Sequence, residues 1–152
     1  MAKTELIVSA LENGTVIDHI ASNEVFRVLQ LLNLDKSQDT VYMGSNLDSK
    51  KLGKKGIIKV SNRFFAPEEI NKIALASPNA TIIEIRNFEV VSKTKVALPE
   101  EIKGIVKCMN PNCITNHEVI ETAFTVVPHS ESVKLKCRFC EKFTTKENMA
   151  FK

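Results

Sequence analysis

Aromatic residues and cysteines are scarce over most of this sequence of 152 residues. It contains no Trp and one Tyr, and its four Cys all lie at or after position 108. No stretch approaches the roughly 18 apolar residues of a membrane-spanning helix, and the N-terminus has no apolar run followed by a small-residue cleavage site. We therefore expect no membrane association and a cytoplasmic location. Thiols are kept reduced there, so a regular cysteine pattern predicts a metal site rather than disulfides.

Neither positive nor negative charge predominates in this sequence. The net charge is +3, and basic and acidic residues nearly balance both before and after residue 98. A dedicated nucleic-acid binder carries a more basic surface and usually has aromatic residues for base stacking, so we expect no nucleic acid as a partner. Five lysines within residues 50–59 nevertheless leave one alternative open, a zinc-ribbon protein that binds nucleic acid.

The short motifs of common enzymes are absent as well. The sequence has no G-x-S-x-G, no H-E-x-x-H and no P-loop, and no cysteine outside one compact pattern. Nucleophilic, metal-hydrolytic and phosphate-transfer sites depend on such motifs. We therefore predict that the chain is not an enzyme and has no catalytic residues, although an enzyme with an unrecognised site remains a third alternative.

Hydrophobic periodicity predicts an α+β fold for the first hundred residues. Helices are predicted at 23–34, with Ser22 or Asn23 as the N-cap, and at 66–77. Strands are predicted at 4–11, 40–47, 57–64 and 80–91, with a short extended stretch at 16–20 and a lysine-rich turn at 48–56. This order is the ferredoxin-like βαββαβ arrangement, in which both helices pack on one face of an antiparallel sheet.

A polar stretch containing Pro99 and Gly104 predicts a domain boundary. We expect an N-terminal domain at 1–97, a linker at 98–104 and a small all-β domain at 105–152. Strand-like runs occur in this last segment at 118–127, 133–137 and 141–145. A domain of this size rarely buries enough apolar surface to fold alone, so it needs a metal or disulfides.

The cysteines form two close pairs, one with four intervening residues and one with two. They are Cys108, Cys113, Cys137 and Cys140. Zinc takes four thiolates in a tetrahedron, and a four-cysteine site is closed to substrate, so we predict one structural Zn per chain. Spacing alone does not separate zinc from an iron–sulfur centre. His117 and His129 are predicted to be solvated loop residues, because four cysteines already complete the coordination.

A second candidate site begins with GTVIDHI at 14–20, which places Asp18 and His19 side by side after a tight turn. With Lys55, Lys59 and Lys93 these side chains have the chemistry to bind a nucleotide. A carboxylate accepts hydrogen bonds from ribose hydroxyls, while ammonium and imidazole N–H groups donate to phosphate oxygens. From the residues alone, a local cap and solvated lysines are the commoner explanation.

The chain resembles the aspartate carbamoyltransferase regulatory chains over nearly its whole length. The matching stretches are GTVIDHI at 14–20, IIKVSN at 57–62, NFEVVSK at 87–93, LPEEI at 98–102 and the cysteine pairs with CEK at 140–142. The resemblance implies a non-catalytic regulatory subunit in pyrimidine biosynthesis. Its ferredoxin-like domain would bind CTP and ATP, with UTP as a further candidate, and its zinc domain would attach to the catalytic chain.

The resemblance also implies roles for individual residues. Asp18, His19, Lys59 and Lys93 would contact ribose and triphosphate, and Lys55 would serve a neighbouring nucleotide. The base pocket would be lined by Val8, Ser9, Ala10, Leu11, Phe88 and Val90. Two positions depart from the familiar pattern: Ile83 stands where an asparagine is usual and Ser9 where a glutamate is usual. Both bear on which nucleotide is selected.

For partners, the resemblance implies a homodimer of regulatory chains and contacts with the catalytic chain. The contact positions are Asn110, Asn112, Arg138, Glu141 and Lys142. These polar groups lie within or beside the two cysteine loops. Polar groups on loops anchored by a metal are preorganised for recognition, which agrees with this role.

Overall fold

Residues 1–97 and 98–152 form separate units of the chain. The computed structural model describes residues 11–50, 52–127 and 132–152. Within those ranges no helix is long and apolar enough to cross a membrane. The strand predicted at 4–11 lies outside the described residues except for Leu11, which is buried. The predictions for Val8, Ser9, Ala10 and His129 also lie outside them.

The first unit is an antiparallel sheet of five strands with two helices. The strands are β1 (Gly14–Ala21), β2 (Val41–Ser49), β3 (Gly53–Ser61), β4 (Thr81–Arg86) and β5 (Glu89–Lys95). The helices are α1 (Val25–Leu31) and α2 (Pro67–Ala76), and short 3-10 turns flank α1 at Ser22–Glu24 and Leu34–Lys36. The strand order β2-β3-β1-β4-β5 contains the ferredoxin-like arrangement and confirms the predicted fold class. Strand β5 extends the sheet at one edge.

One face of this sheet packs under the helices and forms the core. Its fully buried side chains come from β1 and β3 on the sheet and from both helices: Ile17, Ile20, Ile58, Val60, Val25, Val28, Ile73 and Leu75. Gly56 of β3 permits the closest approach, since a Cβ at this position would lie 1.9 Å from Val25 Cγ2. The opposite face of the sheet carries the residues that alternate with this core.

The two helices differ in how well local signals define their ends. Helix α2 begins with Pro67, and Glu69 Oε1 accepts a hydrogen bond from the Ala66 N–H at 3.0 Å, close to the predicted start. Helix α1 is shorter than predicted, and its N-terminus has no side-chain cap from Ser22 or Asn23. Ser22 lies in the preceding 3-10 turn, and its hydroxyl instead accepts a hydrogen bond from the Asn46 N–H at 3.2 Å.

One strand and one turn predicted for the first unit differ from the structure. The predicted strand at 80–91 is the hairpin of β4 and β5, with Asn87 and Phe88 as its two-residue turn. Both turn residues have left-handed φ angles, 52° and 64°, which such a turn requires but Phe rarely adopts. The predicted lysine-rich turn at 48–56 is also too long. Strand β2 continues to Ser49 and strand β3 begins at Gly53, so Lys54 and Lys55 belong to a strand.

The second unit is all-β, as predicted. Its strands are β6 (Glu101–Lys103), β7 (Val106–Lys107), β8 (Ala123–Val126), β9 (Lys134–Cys137), β10 (Phe143–Thr145) and β11 (Ala150–Phe151). Strands β10-β9-β8-β6 form one sheet, and β11 pairs with β7. Phe124, Leu135 and Val106 are fully buried. The segment expected to be a linker contains strand β6. Its residue Ile102 is buried and pairs with Phe124 of β8, so this part of the segment belongs to the four-stranded sheet.

Candidate functional sites: a four-cysteine metal centre and a basic sheet face

The second unit brings its four cysteines together. Their Sγ atoms all lie within 4.8 Å of one another, with 3.6 Å between Cys108 and Cys140 and 3.7 Å between Cys113 and Cys137. Tetrahedral zinc with Zn–S bonds of about 2.3 Å places its sulfurs about 3.8 Å apart. A disulfide needs about 2.05 Å. The four thiols therefore fit a tetrahedral metal ion and not a pair of disulfides.

The first cysteine loop is held in shape by asparagine side chains. Asn116 Nδ2 donates to the carbonyl oxygens of Cys108 and Asn110 at 3.1 and 2.7 Å. Asn110 Oδ1 accepts from the Asn112 N–H at 3.1 Å, and the Asn110 carbonyl accepts from the Cys113 N–H at 3.0 Å. Asn116 was not indicated by the sequence, because its partners are backbone atoms that the loop conformation brings to it.

The second cysteine loop is a tight turn between β9 and β10. Cys137 ends β9, its N–H donates to the Lys142 carbonyl at 2.9 Å, and its carbonyl accepts from the Glu141 N–H at 3.0 Å. Glu141 has a left-handed φ of 63°, which turns the chain back toward β10. The turn thus presents Cys137 from the strand and Cys140 from the bend.

Burial sets the protonation chemistry of these thiols. Desolvation raises the pKa of Cys108 and of Cys137 above the ordinary value. Burial also raises the pKa of Cys140, but hydrogen bonds from the Lys142 backbone and the Asn110 side chain outweigh it and lower the pKa to about 7. Buried thiolates need a nearby cation, and a metal ion that binds thiolates supplies that charge.

The residues expected to face the catalytic chain surround this centre. Asn112, Arg138, Glu141 and Lys142 are exposed, while Asn110 is half-buried and engaged within its own loop. Arg138 Nη1 lies 2.6 Å from Glu101 Oε1, in an ion pair that is about half exposed. His117 is exposed and lies outside the four-cysteine cluster, in line with its prediction as a loop residue.

The other candidate site lies on the sheet face opposite the helices. In the register, Lys59 is opposite Val16, Val16 is opposite Ile83, and Ile83 is opposite Lys93. Residues directly opposite one another share a face. The row from Lys59 to Lys93 crosses three strand spacings, or about 14 Å between Cα atoms. We call these four residues the lysine row.

Asp18 lies next to the lysine row, two residues beyond Val16 on β1 and therefore on the same face. Its Oδ1 accepts from Lys55 Nζ at 2.7 Å and from the His19 N–H at 2.7 Å. Burial by itself raises the pKa of this carboxyl, but the two hydrogen bonds and the Lys55 charge together lower it below its usual value. Asp18 is thus an ionised, half-buried acceptor.

His19 occupies an irregularity of strand β1, where the pairing with β3 shifts register between Ile17 and Ile20. Its φ is 55°, and its Nδ1 lies 3.1 Å from Thr81 Oγ1. The Thr81 hydroxyl therefore orients the imidazole ring. No sequence signal pointed to Thr81, because only the β1–β4 register places it opposite Asp18.

The predicted base-pocket residues are partly brought together. Val90 is opposite Ile85, which shares the face of the lysine row because it lies two residues from Ile83 on β4. Phe88 and Val90 are 65% and 61% exposed, whereas Leu11 is buried. The Phe88 N–H donates to the Glu12 carbonyl at 2.9 Å, so the segment after Leu11 meets the hairpin tip.

The fold and the two sites define a class: a ferredoxin-like α+β domain followed by a small β domain built around a four-cysteine metal centre. Residues 6–97 match the family model for the aspartate carbamoyltransferase regulatory chain, allosteric domain, and residues 100–150 match its metal binding domain. The chain belongs to the family of aspartate carbamoyltransferase regulatory chains. It is therefore a non-catalytic regulatory subunit, and the metal of this family is zinc.

Individual relatives from other organisms carry the same name. The aspartate carbamoyltransferase regulatory chain of Phocaeicola vulgatus is 51% identical over 147 residues, which cover 97% of this chain and 94% of that one. The one of Bacteroides fragilis is 50% identical, covering 97% and 95%. The one of Pyrococcus abyssi is 48% identical, covering 95% and 96%. The similarity therefore spans both units.

Proposed function

We propose that this chain binds nucleoside triphosphates on the face of the lysine row and transmits that binding to the catalytic chains of aspartate carbamoyltransferase. The observation that carries the proposal is the lysine row itself with Asp18 beside it. Two cations flank an apolar strip of Val16 and Ile83, and an ionised carboxylate adjoins them. A triphosphate, a base and a ribose require those three chemistries.

In this arrangement Lys59 and Lys93 donate to phosphate oxygens, and Asp18 accepts from the ribose. His19, held by Thr81, contributes an N–H donor, and Lys55 divides its charge between Asp18 and a neighbouring nucleotide. Phe88, Val90 and the segment around Leu11 bound the base. Ile83 offers no hydrogen bond at the centre of the row, so base selection depends on backbone groups. CTP, ATP and UTP are the effectors we expect, in a cytoplasmic pathway of pyrimidine biosynthesis.

The lysines within residues 50–59 offer little support for the alternative that the chain binds nucleic acid. Lys54 Nζ lies 2.6 Å from Asp48 Oδ1, and Lys55 Nζ lies 2.7 Å from Asp18 Oδ1. Each of these two lysines is paired with a carboxylate of its own unit, which reduces the positive potential available to a polyanion.

For the second unit we propose that zinc makes the two cysteine loops rigid enough to hold the catalytic chain through Asn110, Asn112, Arg138, Glu141 and Lys142. The chain would act as a homodimer of regulatory chains. Nucleotides regulate only if they bind the two quaternary states of the complex with different affinity, since a ligand of equal affinity shifts no equilibrium.

The test is calorimetric titration of the full chain with CTP and ATP. We expect Lys59→Ala and Lys93→Ala each to weaken binding roughly ten- to a hundredfold, because one charge-assisted contact is worth about 1.5–3 kcal/mol. Lys54→Ala is the matched control: it makes the same charge change on strand β3, which also carries Lys59, but its side chain is exposed and paired with Asp48. Asp18→Ala should weaken ribonucleotides more than their 2′-deoxy analogues. Equal affinities for wild type and all three site variants would remove these residues from the site.

A further inference from the structure

The sulfur of Cys113 accepts a hydrogen bond from a residue that is not a metal ligand. Thr115 Oγ1 lies 3.2 Å from Cys113 Sγ and donates to it. Both residues are buried, with 8% and 1% exposure. Thr115 sits in the 3-10 turn Ile114–Asn116, which begins directly after Cys113 and returns the hydroxyl to the sulfur.

This contact has a defined chemical effect on a metal-bound sulfur. A thiolate keeps part of its negative charge when it binds a metal, and an O–H donor withdraws some of that charge. Hydrogen bonds to charged acceptors are roughly twice as strong as neutral ones, and burial excludes the water that would compete. Partners of metal ligands in other proteins orient those ligands and tune the metal.

We propose that Thr115 is a positioning residue of the metal centre. Its hydroxyl holds the Cys113 side chain in the ligating orientation and lowers the electron density on the sulfur. Both effects slow the loss of zinc and the attack of electrophiles such as mercurials on Cys113. Asn116, the next residue of the same turn, donates to two backbone carbonyl oxygens and so fixes the loop backbone. Thr115 therefore acts on the sulfur, and Asn116 acts on the backbone.

The second unit contains a matched control for this role. Thr122 is also buried, with 1% exposure, and its hydroxyl donates to a backbone carbonyl, that of Val106, at 2.7 Å. Thr115→Val and Thr122→Val therefore each remove one buried hydroxyl and one hydrogen bond from the same unit. Only the first change removes a donor to a metal-binding sulfur.

The experiment uses the full chain loaded with Co²⁺ and, separately, with Zn²⁺. For Thr115→Val we expect the sulfur-to-cobalt charge-transfer band to move to lower energy, because the sulfur becomes easier to oxidise. We also expect zinc transfer to a chromogenic chelator to be about tenfold faster, at the lower end of the range known for such partners. Thr115→Ser, which restores the donor, should return both readouts to wild-type values, and Thr122→Val should leave both unchanged.

Two results would overturn the proposal. One is a folded Thr115→Val chain whose band position and zinc release equal those of wild type. The other is a Thr122→Val chain whose readouts move as far as those of Thr115→Val, which would mean that general destabilisation is the cause. If the valine variant does not fold, the serine variant decides, since a shifted cobalt band despite its hydroxyl contradicts the role assigned to the donor.

Discussion

The ion pair of Asp18 and Lys55 gives the sharpest prediction for the first unit. Its atoms lie 2.7 Å apart, and the two side chains are only 17% and 20% exposed. The hairpin of β2 and β3 holds a second Asp–Lys pair, Asp48 with Lys54, at 2.6 Å but with 94% and 60% exposure. The two pairs share residue types and distance and differ in burial, so they separate the effect of burial from that of geometry.

The expected magnitude follows from this exposure. Exposed ion pairs contribute little because water and salt screen them, whereas removing one partner of a buried pair is costly. The Asp18–Lys55 pair is half-buried, so its coupling energy should lie between those two limits. In a double-mutant cycle of Asp18→Asn and Lys55→Met we expect a coupling energy of about 1–2 kcal/mol. The same cycle at Asp48 and Lys54 should give a coupling too small to resolve.

The pH dependence has a definite sign. Because the folded-state pKa of Asp18 lies below its usual value of 3.8, its stabilisation is present above that value. It is lost as the pH falls through the folded-state pKa. The stability difference between wild type and Asp18→Asn should therefore be constant from neutral pH to about pH 5 and should shrink below 3.8.

The chain carries its own probe for this measurement. Its single Tyr is Tyr42, in strand β2, and it has no Trp, so intrinsic tyrosine fluorescence reports the first unit alone. Urea titrations followed by this signal give the free energy of unfolding for each variant at each pH. A coupling energy indistinguishable from zero for Asp18 and Lys55, or equal couplings for both pairs, would refute the argument from burial.

Three further predictions concern the metal, the β4–β5 hairpin and the chain segment that connects the two units. Removing zinc with a chelator should unfold residues 98–152 and leave both Tyr42 fluorescence and nucleotide affinity unchanged, and a second unit that keeps its amide protection without metal would contradict this. Phe88→Gly should stabilise the first unit by about 1 kcal/mol, by relieving the left-handed φ, and should weaken nucleotide binding; calorimetry showing unchanged affinity would exclude the ring from the site. Cutting the chain between Ala97 and Leu98 should leave nucleotide binding to the first fragment and catalytic-chain binding to the zinc-loaded second, while nucleotides no longer alter catalysis in the mixture.

Local sequence signals sufficed where the interacting residues are close in the chain. Helix α2 lies within one residue of its predicted ends at each side, because Pro67 and Glu69 act within a single turn. The metal centre was equally predictable, since each cysteine pair is a short loop whose ligand spacing is set by the residues between them. Local patterns did not reveal that β6 pairs with β8, so the second domain was predicted to begin at 105. The second fragment of the cleaved chain therefore starts at Leu98, which keeps β6 with its partner strand.

The residue pattern alone indicated the α+β class, the order of most elements and the four cysteines that could hold a metal ion. Which residues share a surface depended on the three-dimensional fold. Lys59 and Lys93 lie in one row because of three strand registers. The Thr81 hydroxyl contacts His19 across 62 positions of the chain, and the Thr115 hydroxyl contacts the Cys113 sulfur. Because the side chains of a strand alternate between its two faces, a one-residue change of register moves every one of them to the other face of the sheet. Register depends on pairing and packing with distant segments, which no short stretch of the chain contains.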